Sequence, residues 1–357
     1  MRKRKVAVVY GGFSPEYEVS LSSAYSIINS IDKEKYEVMM LGITKKGQWY
    51  RYCGSVEDIP NDNWCKNEQH LCKALISSDR GGGVLVFENG NPVSVHVDVI
   101  FPVLHGRYGE DGTIQGLCEL AGIPVVGSGS AASALCMDKD RSQRLVSFAG
   151  ITVPESVCFE YVPTDEESLE AVRNLKLPVF VKPVKAGSSI GVSKVENYCD
   201  IPKAVKEAFI YDDAVIIEEN IDGKEVGCAV IGNLELQTGR INEIEIKQGF
   251  FDYKEKYTLK ENTKIHTPAR IDAESERRLQ EAGKLIYRIL GCRGYARIDM
   301  FLKDDGDIVF NEANTIPGFT AQSLFPGMMK VAGMDYPALV DKLLELSLKV
   351  ERGEWYG

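Results

Sequence analysis

Apolar residues follow two different patterns along the chain. Up to about residue 135, short apolar runs such as "KVAVVYGG" and "VDVIFPVLHG" alternate with segments of helical spacing such as "SLSSAYSIINSI". Because strand and helix alternate, we expect βαβ units around a parallel sheet here, with "IPVVGSG" as a further strand. Residues 54–96 have little pattern, so they are predicted to form an insertion or an irregular connection.

The pattern after about residue 150 predicts antiparallel strands. The segment "LPVFVKPVKAGSSIGVSKV" has the order strand, glycine-rich loop, strand, and "VGCAVIG" and "RINEIEI" are further strand candidates. Before them, "ALCMDKDRSQRLVSFAG" is predicted to be one helix. The fold class is therefore α/β in the first part and α+β in the second. A chain of 357 residues exceeds what one core usually holds, so two or three domains are expected.

A hairpin with acidic residues inside its strands is predicted at "RIDMFLKDDGDIVFNEAN", residues 297–314. A turn centred on the "DG" at 305–306 pairs 303 with 308, and continues to 299 with 312 and 297 with 314. A cation such as Mg²⁺ would remove the repulsion between facing carboxylates, whereas an acidic edge exposed to solvent is the alternative. Four side chains share one face at the end away from the turn, namely Arg297, Asp299, Glu312 and Asn314.

The glycine-rich loop in "KPVKAGSSIGVSKV" combines small residues with three lysines, at 182, 185 and 194. Glycines allow backbone N–H groups to approach an oxyanion, and lysines supply positive charge. The spacing GxxxxGK[ST] of a P-loop is absent. The loop is therefore predicted to cover phosphates, with a plain flexible hairpin as the alternative.

Several polar side chains follow predicted strands. Glu218 lies at a strand end and Glu225 follows seven residues later, so they are candidates for contacts to a ribose or an adenine, or are solvated. Glu16 follows the first strand, while His105 and Glu110 follow another. Ligands of parallel α/β sheets bind beyond the carboxyl ends of strands, although either loop could simply cap a helix.

Charge and cysteine usage narrow the classes of partner. The formal net charge of −10 argues against non-specific binding to nucleic acid or to an anionic membrane. Nine cysteines occur without a CxxC pair, so zinc and a disulfide framework are not expected, and free thiols fit a reducing cytoplasm. The basic start is followed by an apolar run of only five residues, so it is predicted to be a first strand rather than a signal peptide. No apolar run approaches transmembrane length.

Seven motifs occur in an order that points to one family: "GGFSPEYEVSLSSA", "LHGRYGEDGTIQG", "MDKDRS", "VKPVKAGSSIGVSKV", "FFDYKEKY", "RIDMF" and "NEANTIPGFT". Together they closely resemble the D-alanine–D-alanine ligase family of ATP-grasp enzymes. The resemblance covers almost the whole chain, apart from residues 54–96.

The resemblance implies an ATP-grasp fold with an N-terminal parallel α/β (pre-ATP-grasp) domain. The domain ranges would be 1–137 for the N-terminal substrate-binding domain, 138–215 for a central ATP-grasp subdomain with the phosphate loop, and 216–357 for a C-terminal subdomain with the magnesium site and a lid. A cytoplasmic homodimer that binds neither nucleic acid nor membrane is also expected.

The implied reaction joins two D-amino acids at the cost of one ATP. The carboxylate of a first D-alanine becomes an acyl phosphate, and the amine of a second D-amino acid attacks it. The products would be ADP, phosphate and D-Ala-D-Ala for peptidoglycan precursors.

The resemblance also assigns residues to ATP and to metal. Lys139 and Lys182 would contact the phosphates, under a loop containing Ser189, while Glu218 would lie near the adenine and Glu225 on the ribose. Two Mg²⁺ ions, with Mn²⁺ as a substitute, would be held by Asp299, Glu312 and Asn314.

Further residues are assigned to the substrates. Glu16 would bind the ammonium of the first D-alanine, linked through Ser188 to Tyr257, and His105 would line the same pocket. Arg297 and the N–H of Gly318 would stabilise the oxyanion of the tetrahedral intermediate. Ser323 would hold the carboxylate of the second substrate, with Leu324 beside it. Lys256 would belong to a lid formed by residues 247–262.

The identity of the second substrate depends on four positions. Tyr257 resembles family members that use an amino acid rather than D-lactate, and Leu324 resembles many D-alanine–D-alanine ligases. Phe251 and "GITKKGQWY" are instead similar to D-alanine–D-serine ligases of vancomycin-resistant bacteria, although those tend to have Asp where this chain has Asn242. We expect D-alanine as the second substrate, with D-serine as the alternative.

Two other classes of protein compete with the ligase hypothesis. One is an ATP-binding pseudoenzyme. The other is a nicotinamide-dependent dehydrogenase, which the segment "GSGSAASAL" suggests.

Overall fold

The computed structural model describes residues 2–246 and 263–349. The predicted lid residues Lys256 and Tyr257, and the specificity position Phe251, lie outside the described residues. Strands build three sheets, and helices cover their faces.

The first sheet has seven strands in the order β6-β5-β4-β3-β2-β1-β7. β1 pairs in parallel with β2 and with β7, but the pairs from β2 to β6 are antiparallel, so the sheet is mixed rather than parallel as expected. The expected strand at "IPVVGSG" is only an isolated bridge between Ile100 and Val125. The strands are β1 (Arg4–Gly11), β2 (Tyr36–Ile43), β3 (Trp49–Tyr52), β4 (Leu71–Ile76), β5 (Val84–Glu88), β6 (Asn91–Val95) and β7 (Val99–Val103).

Residues 54–96, expected to be irregular, contain β4, β5 and β6 and two short 3₁₀ helices. Three antiparallel strands extend the sheet edge, and Trp64 is fully buried against the face of β2, where Gly42 leaves room for its ring. The weak sequence pattern is explained by β6, which is an edge strand exposed along most of its length.

The second sheet has four strands in the order β10-β9-β11-β8. The predicted strand, loop, strand arrangement is confirmed by the antiparallel pairing of β9 with β10. The expected domain boundary at 215–216 falls inside β11, which pairs with β8 and β9 of this sheet. The division of the chain into three domains stays a prediction. The strands are β8 (Ser156–Phe159), β9 (Val179–Pro183), β10 (Ser193–Val195) and β11 (Val215–Glu219).

The third sheet is antiparallel, with the path β15-β14-β12-β16-β17 and β13 paired to β12. The predicted strands "VGCAVIG" and "RINEIEI" correspond to β12 and β14. The strands are β12 (Lys224–Gly232), β13 (Leu236–Thr238), β14 (Asn242–Ile246), β15 (Thr263–His266), β16 (Tyr295–Leu302) and β17 (Ile308–Asn314).

One expected helix is in fact two. Asp138 has extended backbone angles between α3 and α4, and its side chain accepts from the Arg141 N–H at 2.9 Å, so it caps α4. The helices are α1 (Tyr17–Ser30), α2 (Thr113–Ala121), α3 (Ser130–Met137), α4 (Lys139–Phe148), α5 (Asp165–Ala171), α6 (Ile201–Ala208), α7 (Ala273–Ile289), α8 (Leu324–Val331) and α9 (Tyr336–Leu348). Within the described part of the chain, no helix is long and apolar enough to cross a membrane.

A single hydrophobic core joins the first and third sheets. It contains buried residues of β1, α1 and β7 together with residues of α8 and α9. Phe319 lies at its centre, with ring centroids 6.2 Å from Phe101 and 5.4 Å from Tyr295. The chain that leaves β17 is therefore packed directly against the N-terminal sheet.

Candidate active site

The β16–β17 hairpin carries the acidic face predicted from the sequence. Asp299 pairs with Glu312, and Arg297 with Asn314, as expected. Nearer the turn the prediction is wrong by one position, because 308 pairs with 302 rather than with 303. A β-bulge at 311 restores the expected register. The turn itself is one residue longer than a two-residue loop, with Gly306 at φ +85°.

Asp299 is at the centre of this face. The Arg297 guanidinium donates two hydrogen bonds to it, at 2.7 and 2.6 Å, and the Asn314 amide donates a third at 2.9 Å. Burial alone would lower the pKa of Arg297, but the charge of Asp299, helped by Glu312, raises it above its ordinary value. Arg297 is thus a half-buried permanent cation held in a defined orientation.

The oxygen ligands on this face suit magnesium. Two carboxylates and one amide oxygen, from Asp299, Glu312 and Asn314, form the hard donor set that Mg²⁺ prefers. Among the residues that the structure describes, no group of three or more His, Cys, Asp or Glu side chains is arranged to hold a metal. These side chains can therefore bind a metal only if the amide oxygen of Asn314 takes part. Asp299 would also have to give up part of its hydrogen bonding to Arg297.

Lys182 and Glu218 form a buried ion pair. Their side chains project from neighbouring antiparallel strands, and Lys182 Nζ lies 2.5 Å from Glu218 Oε2. Burial would lower the pKa of Lys182, but Glu218, followed by Glu312 and Glu225, raises it above its ordinary value. The structure thus brings together two residues that the sequence assigned to opposite ends of a nucleotide, and places Glu225 within their electrostatic range.

Gln143 is a residue of this region that sequence reasoning missed. Its amide donates to Glu218 at 2.8 Å and to the Asn311 carbonyl, in the bulge, at 3.2 Å. Gln143 lies in the middle of α4 and is only 2% exposed. No motif marked it, because a lone glutamine inside a helix carries no pattern of its own.

Lys139 links the acidic hairpin to the glycine-rich loop. Its Nζ donates to the Ala186 carbonyl at 2.8 Å and lies 3.4 Å from Glu312. In the loop, Ser188 and Ser189 have φ of +50° and +58°, a left-handed conformation that is unusual for residues other than glycine. The loop is therefore held in a specific shape close to the acidic face.

Glu16 and Ser188 connect the N-terminal sheet to that loop. The Ser188 hydroxyl donates to the Glu16 carboxylate, which is 6% exposed. Room for this carboxylate depends on two glycines, since a Cβ at Gly106 would lie 2.5 Å from Glu16 Oε2 and one at Gly187 would lie 3.2 Å away. The contact joins residues that are 172 positions apart in the chain.

His105 is buried with both ring nitrogens bound to protein. Nδ1 lies 2.9 Å from the Ile316 carbonyl, and Nε2 lies 3.3 Å from the Ser23 hydroxyl. Because Nδ1 faces an acceptor it carries the proton, and Nε2 accepts from Ser23. Burial lowers the pKa of His105, although Glu16 and the Ile316 carbonyl oppose that effect. The ring is therefore neutral.

Glu110 follows the same strand and was noted in the sequence without a role. Its two carboxylate oxygens accept from the Gly106 N–H at 2.9 Å and the Ile316 N–H at 3.1 Å. Burial, followed by the charge of Glu16, raises the pKa of Glu110 to about 8. The only sequence signal for Glu110 was its position beyond the end of a strand. That position does not reveal its hydrogen-bond partner Ile316, which lies about two hundred residues away in the chain.

The predicted second-substrate residues lie together after β17. Ser323 precedes α8, and its hydroxyl accepts from the Thr320 N–H at 3.0 Å. A Cβ at Gly318 would lie 3.3 Å from this hydroxyl, so the two positions adjoin. Leu324 is half-buried against the core that joins the first and third sheets.

Three of the predicted residues, Lys139, Glu312 and Asn314, line one cavity. Its lining combines the acidic hairpin, the glycine-rich loop, the end of α3 and the start of α4. The lining residues are Glu110, Cys136, Met137, Lys139, Ala186, Gly187, Glu312, Ala313, Asn314 and Thr315.

Comparison with known families matches both halves of the chain. Residues 5–128 match the family model described as "D-ala D-ala ligase N-terminus", and residues 145–345 match "D-ala D-ala ligase C-terminus". The chain belongs to the D-alanine–D-alanine ligase family. Members of this family are ligases that have the ATP-grasp fold and use ATP.

Relatives within the ligase family differ in the substrates in their names. The D-alanine–D-alanine ligase of Caldicellulosiruptor bescii is 41% identical over 99% of this chain and 97% of its own length. The vancomycin/teicoplanin A-type resistance protein VanA of Enterococcus faecium is 44% identical over 98% of this chain and 100% of its own. The crystal structure of the VanG D-Ala:D-Ser ligase from Enterococcus faecalis is 50% identical, with a TM-score of 0.90, covering 97% of this chain and 100% of that one.

Proposed function

We propose that this protein joins D-alanine to a second D-amino acid with conversion of ATP to ADP and phosphate through an acyl phosphate, producing D-Ala-D-Ala for peptidoglycan precursors. The observation that carries the proposal is the contact of Ser188 with Glu16 beside Lys139 and Glu312. In the proposed reaction the buried Glu16 carboxylate would bind an ammonium group and Lys139 would neutralise phosphate oxygens, as a reaction between an amino acid and ATP requires.

The first half-reaction needs the D-alanine carboxylate to meet the terminal phosphate. Glu16 would hold the ammonium group of D-alanine, and Lys139 would neutralise phosphate oxygens. Lys182 would exchange part of its bond to Glu218 for a phosphate contact, since a buried lysine keeps its proton only beside negative charge. Ser189, in the left-handed loop, would cover the phosphates, with Glu225 on the ribose.

The metal would be held by Asp299, Glu312 and Asn314. Bound Mg²⁺ would supply positive charge to the phosphate oxygens as negative charge shifts during transfer. The chain's own contribution is to orient these three oxygens on one sheet face, through pairing of β16 with β17.

The second half-reaction creates negative charge on the reacting carbonyl oxygen. Arg297 and the N–H of Gly318 would stabilise this oxyanion, and Ser323 would hold the carboxylate of the incoming amino acid. Arg297 is suited to this task because Asp299 fixes the guanidinium plane through two hydrogen bonds. Burial of the site excludes water that would hydrolyse the acyl phosphate.

D-serine is the alternative second substrate. The observation that favours it is the 50% identity to a solved D-Ala:D-Ser ligase over nearly the whole chain. Against it, Leu324 is an apolar residue beside Ser323 and offers no hydrogen bond to a hydroxyl group. We therefore propose D-alanine as the main second substrate, with a measurable rate for D-serine.

One experiment tests both proposals. Purified protein is incubated with ATP, Mg²⁺ and an equal mixture of D-alanine and D-serine at several pH values, and phosphate release and the masses of the dipeptides are measured. We expect D-Ala-D-Ala as the major product. Absence of phosphate release would contradict the ligase function, and a majority of D-Ala-D-Ser would reverse the order of the two substrates.

A cytoplasmic homodimer is the proposed state of assembly and location. The nine cysteines are all free, including buried Cys136 and Cys292 with their sulfur atoms 3.6 Å apart, which supports a reducing compartment. Light scattering of the purified protein tests the dimer, and a mass of about 40 kDa instead of about twice that value would contradict it.

A further inference from the structure

The segment 316–319, which follows β17, is held from outside its own domain. Glu110 accepts from the N–H of Ile316 at 3.1 Å, and His105 donates to the carbonyl of the same residue at 2.9 Å. Ser23 accepts from the N–H of Phe319 at 3.4 Å. Gly318 lies between the two anchored residues, so its peptide group has little freedom to move.

The three anchoring side chains also bind one another or their own backbone. Ser23 projects from α1, is fully buried, and lies 3.3 Å from Nε2 of His105. Glu110 uses its second oxygen for the N–H of Gly106, next to His105 in the chain. They therefore form one connected set on the N-terminal sheet, rather than three separate contacts.

We propose that Glu110, with His105 and Ser23, is a positioning residue that fixes the backbone of residues 316–319 and so aims the N–H of Gly318 at the reacting carbonyl oxygen. The inference rests on the proposed ligase function. It also changes the expected role of His105, because both of its ring nitrogens are used by the protein and neither is directed to a substrate.

The energetics favour a functional reason for keeping Glu110. A carboxyl group that is buried beside another carboxylate, Glu16, is costly, as its raised pKa shows. Stability alone would be served by a neutral acceptor. The gain is two acceptor oxygens on one side chain, which hold the backbone N–H groups of Gly106 and Ile316 at once.

Accurate placement matters because an oxyanion donor acts only if it is aimed before the reaction. Loss of one such donor costs about 100- to 1,000-fold in kcat, and a displacement of about 1 Å can cost about 100-fold. We therefore expect the anchoring set to affect kcat far more than the affinity for ATP, because its hydrogen bonds hold residues 316–319 and none of them involves Lys139 or Lys182.

The main test compares Glu110→Gln with Asp111→Asn. Glutamine keeps the shape but has only one acceptor atom, so either Gly106 or Ile316 loses its partner. Asp111 also accepts two backbone N–H bonds, from Tyr108 at 2.7 Å and Thr113 at 3.0 Å, but both lie in its own loop. We expect Glu110→Gln to lower kcat by about 10- to 100-fold, with the KM for ATP within about twofold, and Asp111→Asn to lower kcat by less than about threefold.

A second pair of variants uses the same helix. Ser23→Ala removes the acceptor for Phe319, whereas the Ser26 hydroxyl donates only to the Ser22 carbonyl within α1, at 3.0 Å. We expect Ser23→Ala to lower kcat by about 3- to 10-fold and Ser26→Ala to leave it within about twofold. Circular dichroism and thermal melting check that all four variants are folded.

Binding provides a readout that does not depend on turnover. A dipeptide analogue with a tetrahedral phosphinate in place of the amide mimics the charged intermediate, and its affinity is measured by calorimetry with ATP present. We expect Glu110→Gln to weaken phosphinate binding by about 10-fold or more while D-alanine binding changes by less than about threefold. A loss of general fold would weaken both.

The outcomes separate this inference from the proposed function. If wild-type protein forms dipeptide and both Glu110→Gln and Ser23→Ala match their controls in kcat and in phosphinate affinity, the positioning role is overturned and the ligase function stands. If wild-type protein forms no dipeptide, the proposed function fails and this inference fails with it.

Discussion

Two hairpins line the candidate active site, and they hold their polar residues by different means. In β16–β17, ladder pairing places Arg297, Asp299 and the side chains facing them on one face. In β9–β10 the polar residues lie in the connecting loop, where Ser188 has a left-handed backbone and is bound to Glu16, which follows β1 of the first sheet. The first hairpin is therefore specified by local pairing, and the second by tertiary contacts. Substitutions in the two should fail in different ways.

The largest effect is expected for Glu312→Gln in the first hairpin. The variant removes the negative charge of a proposed metal ligand without changing the shape of the side chain, so we expect kcat to fall by at least about 100-fold and the melting temperature to change little. Phosphate release at increasing Mg²⁺ measures this. Asp304→Asn, in the exposed turn of the same hairpin, is the control. Equal activity of wild type and Glu312→Gln would remove Glu312 from the metal site.

A smaller effect is expected for Ser188 in the second hairpin. Ser188→Ala removes the hydroxyl that binds Glu16 but keeps the Cβ at φ +50°, while Ser188→Gly removes both the hydroxyl and the Cβ and so relieves the backbone. We expect both to lower kcat/KM for the first D-alanine by about 10-fold. The glycine variant should melt at the higher temperature. Full activity of the glycine variant would show that backbone shape, and not the hydroxyl, matters here.

A third effect is expected at the junction between the hairpins, as a pH dependence of stability. The pKa of Glu110 is raised from 4.5 to about 8 in the folded protein, so the folded state binds the proton more tightly than the unfolded state. The stability from this group is present in full at pH below 4.5 and is lost as pH rises towards about 8.

Glu110→Gln lacks that titration. We expect its melting temperature to rise relative to that of the wild type as pH increases from about 5 to about 8, and the difference to level off at higher pH. Asp111→Asn again serves as the control. A difference that stays constant over this range would contradict a raised pKa for Glu110.

The smallest effect is expected for Leu324→Arg, which lies in neither hairpin. A guanidinium beside Ser323 would add hydrogen-bond donors near the second substrate, so we expect the ratio of D-serine to D-alanine incorporation to rise by about 3- to 10-fold. Dipeptide masses from an equal mixture of the two amino acids measure the ratio. An unchanged ratio would exclude Leu324 as a determinant of specificity.

Most elements that depend on local pattern were predictable. The strands β9 to β12 and β14, the glycine-rich hairpin and the pairing of 299 with 312 follow from alternation and turn signals, whereas β8, β13 and β15 were not predicted. The exact path of the β16–β17 hairpin was not, because the turn is one residue longer than expected and the bulge at 311 compensates. The longer turn and the bulge shift the pairing in opposite directions, so residues 299 and 312 still face each other as predicted.

Other errors have specific physical causes. The break between α3 and α4 depends on Asp138, whose side chain caps a helix within an otherwise helical pattern. The first sheet is mixed because β3 to β6 add antiparallel strands, and the last of them, β6, is exposed along most of its length and therefore weakly patterned. Edge strands have one side in solvent, and their apolar alternation is correspondingly faint.

By itself, the sequence determined the kinds of chemistry available: a basic glycine-rich loop, strand-end carboxylates and an acidic hairpin, in an order that resembles one ligase family. Only the tertiary structure decided which of these side chains contact each other. Glu16 accepts a hydrogen bond from Ser188, Lys182 forms an ion pair with Glu218, and Glu110 accepts from the N–H of Ile316. Each contact joins different parts of the chain. Local pattern reports the burial and backbone preference of single elements, whereas a buried charge obtains its partner from whichever element packs opposite it.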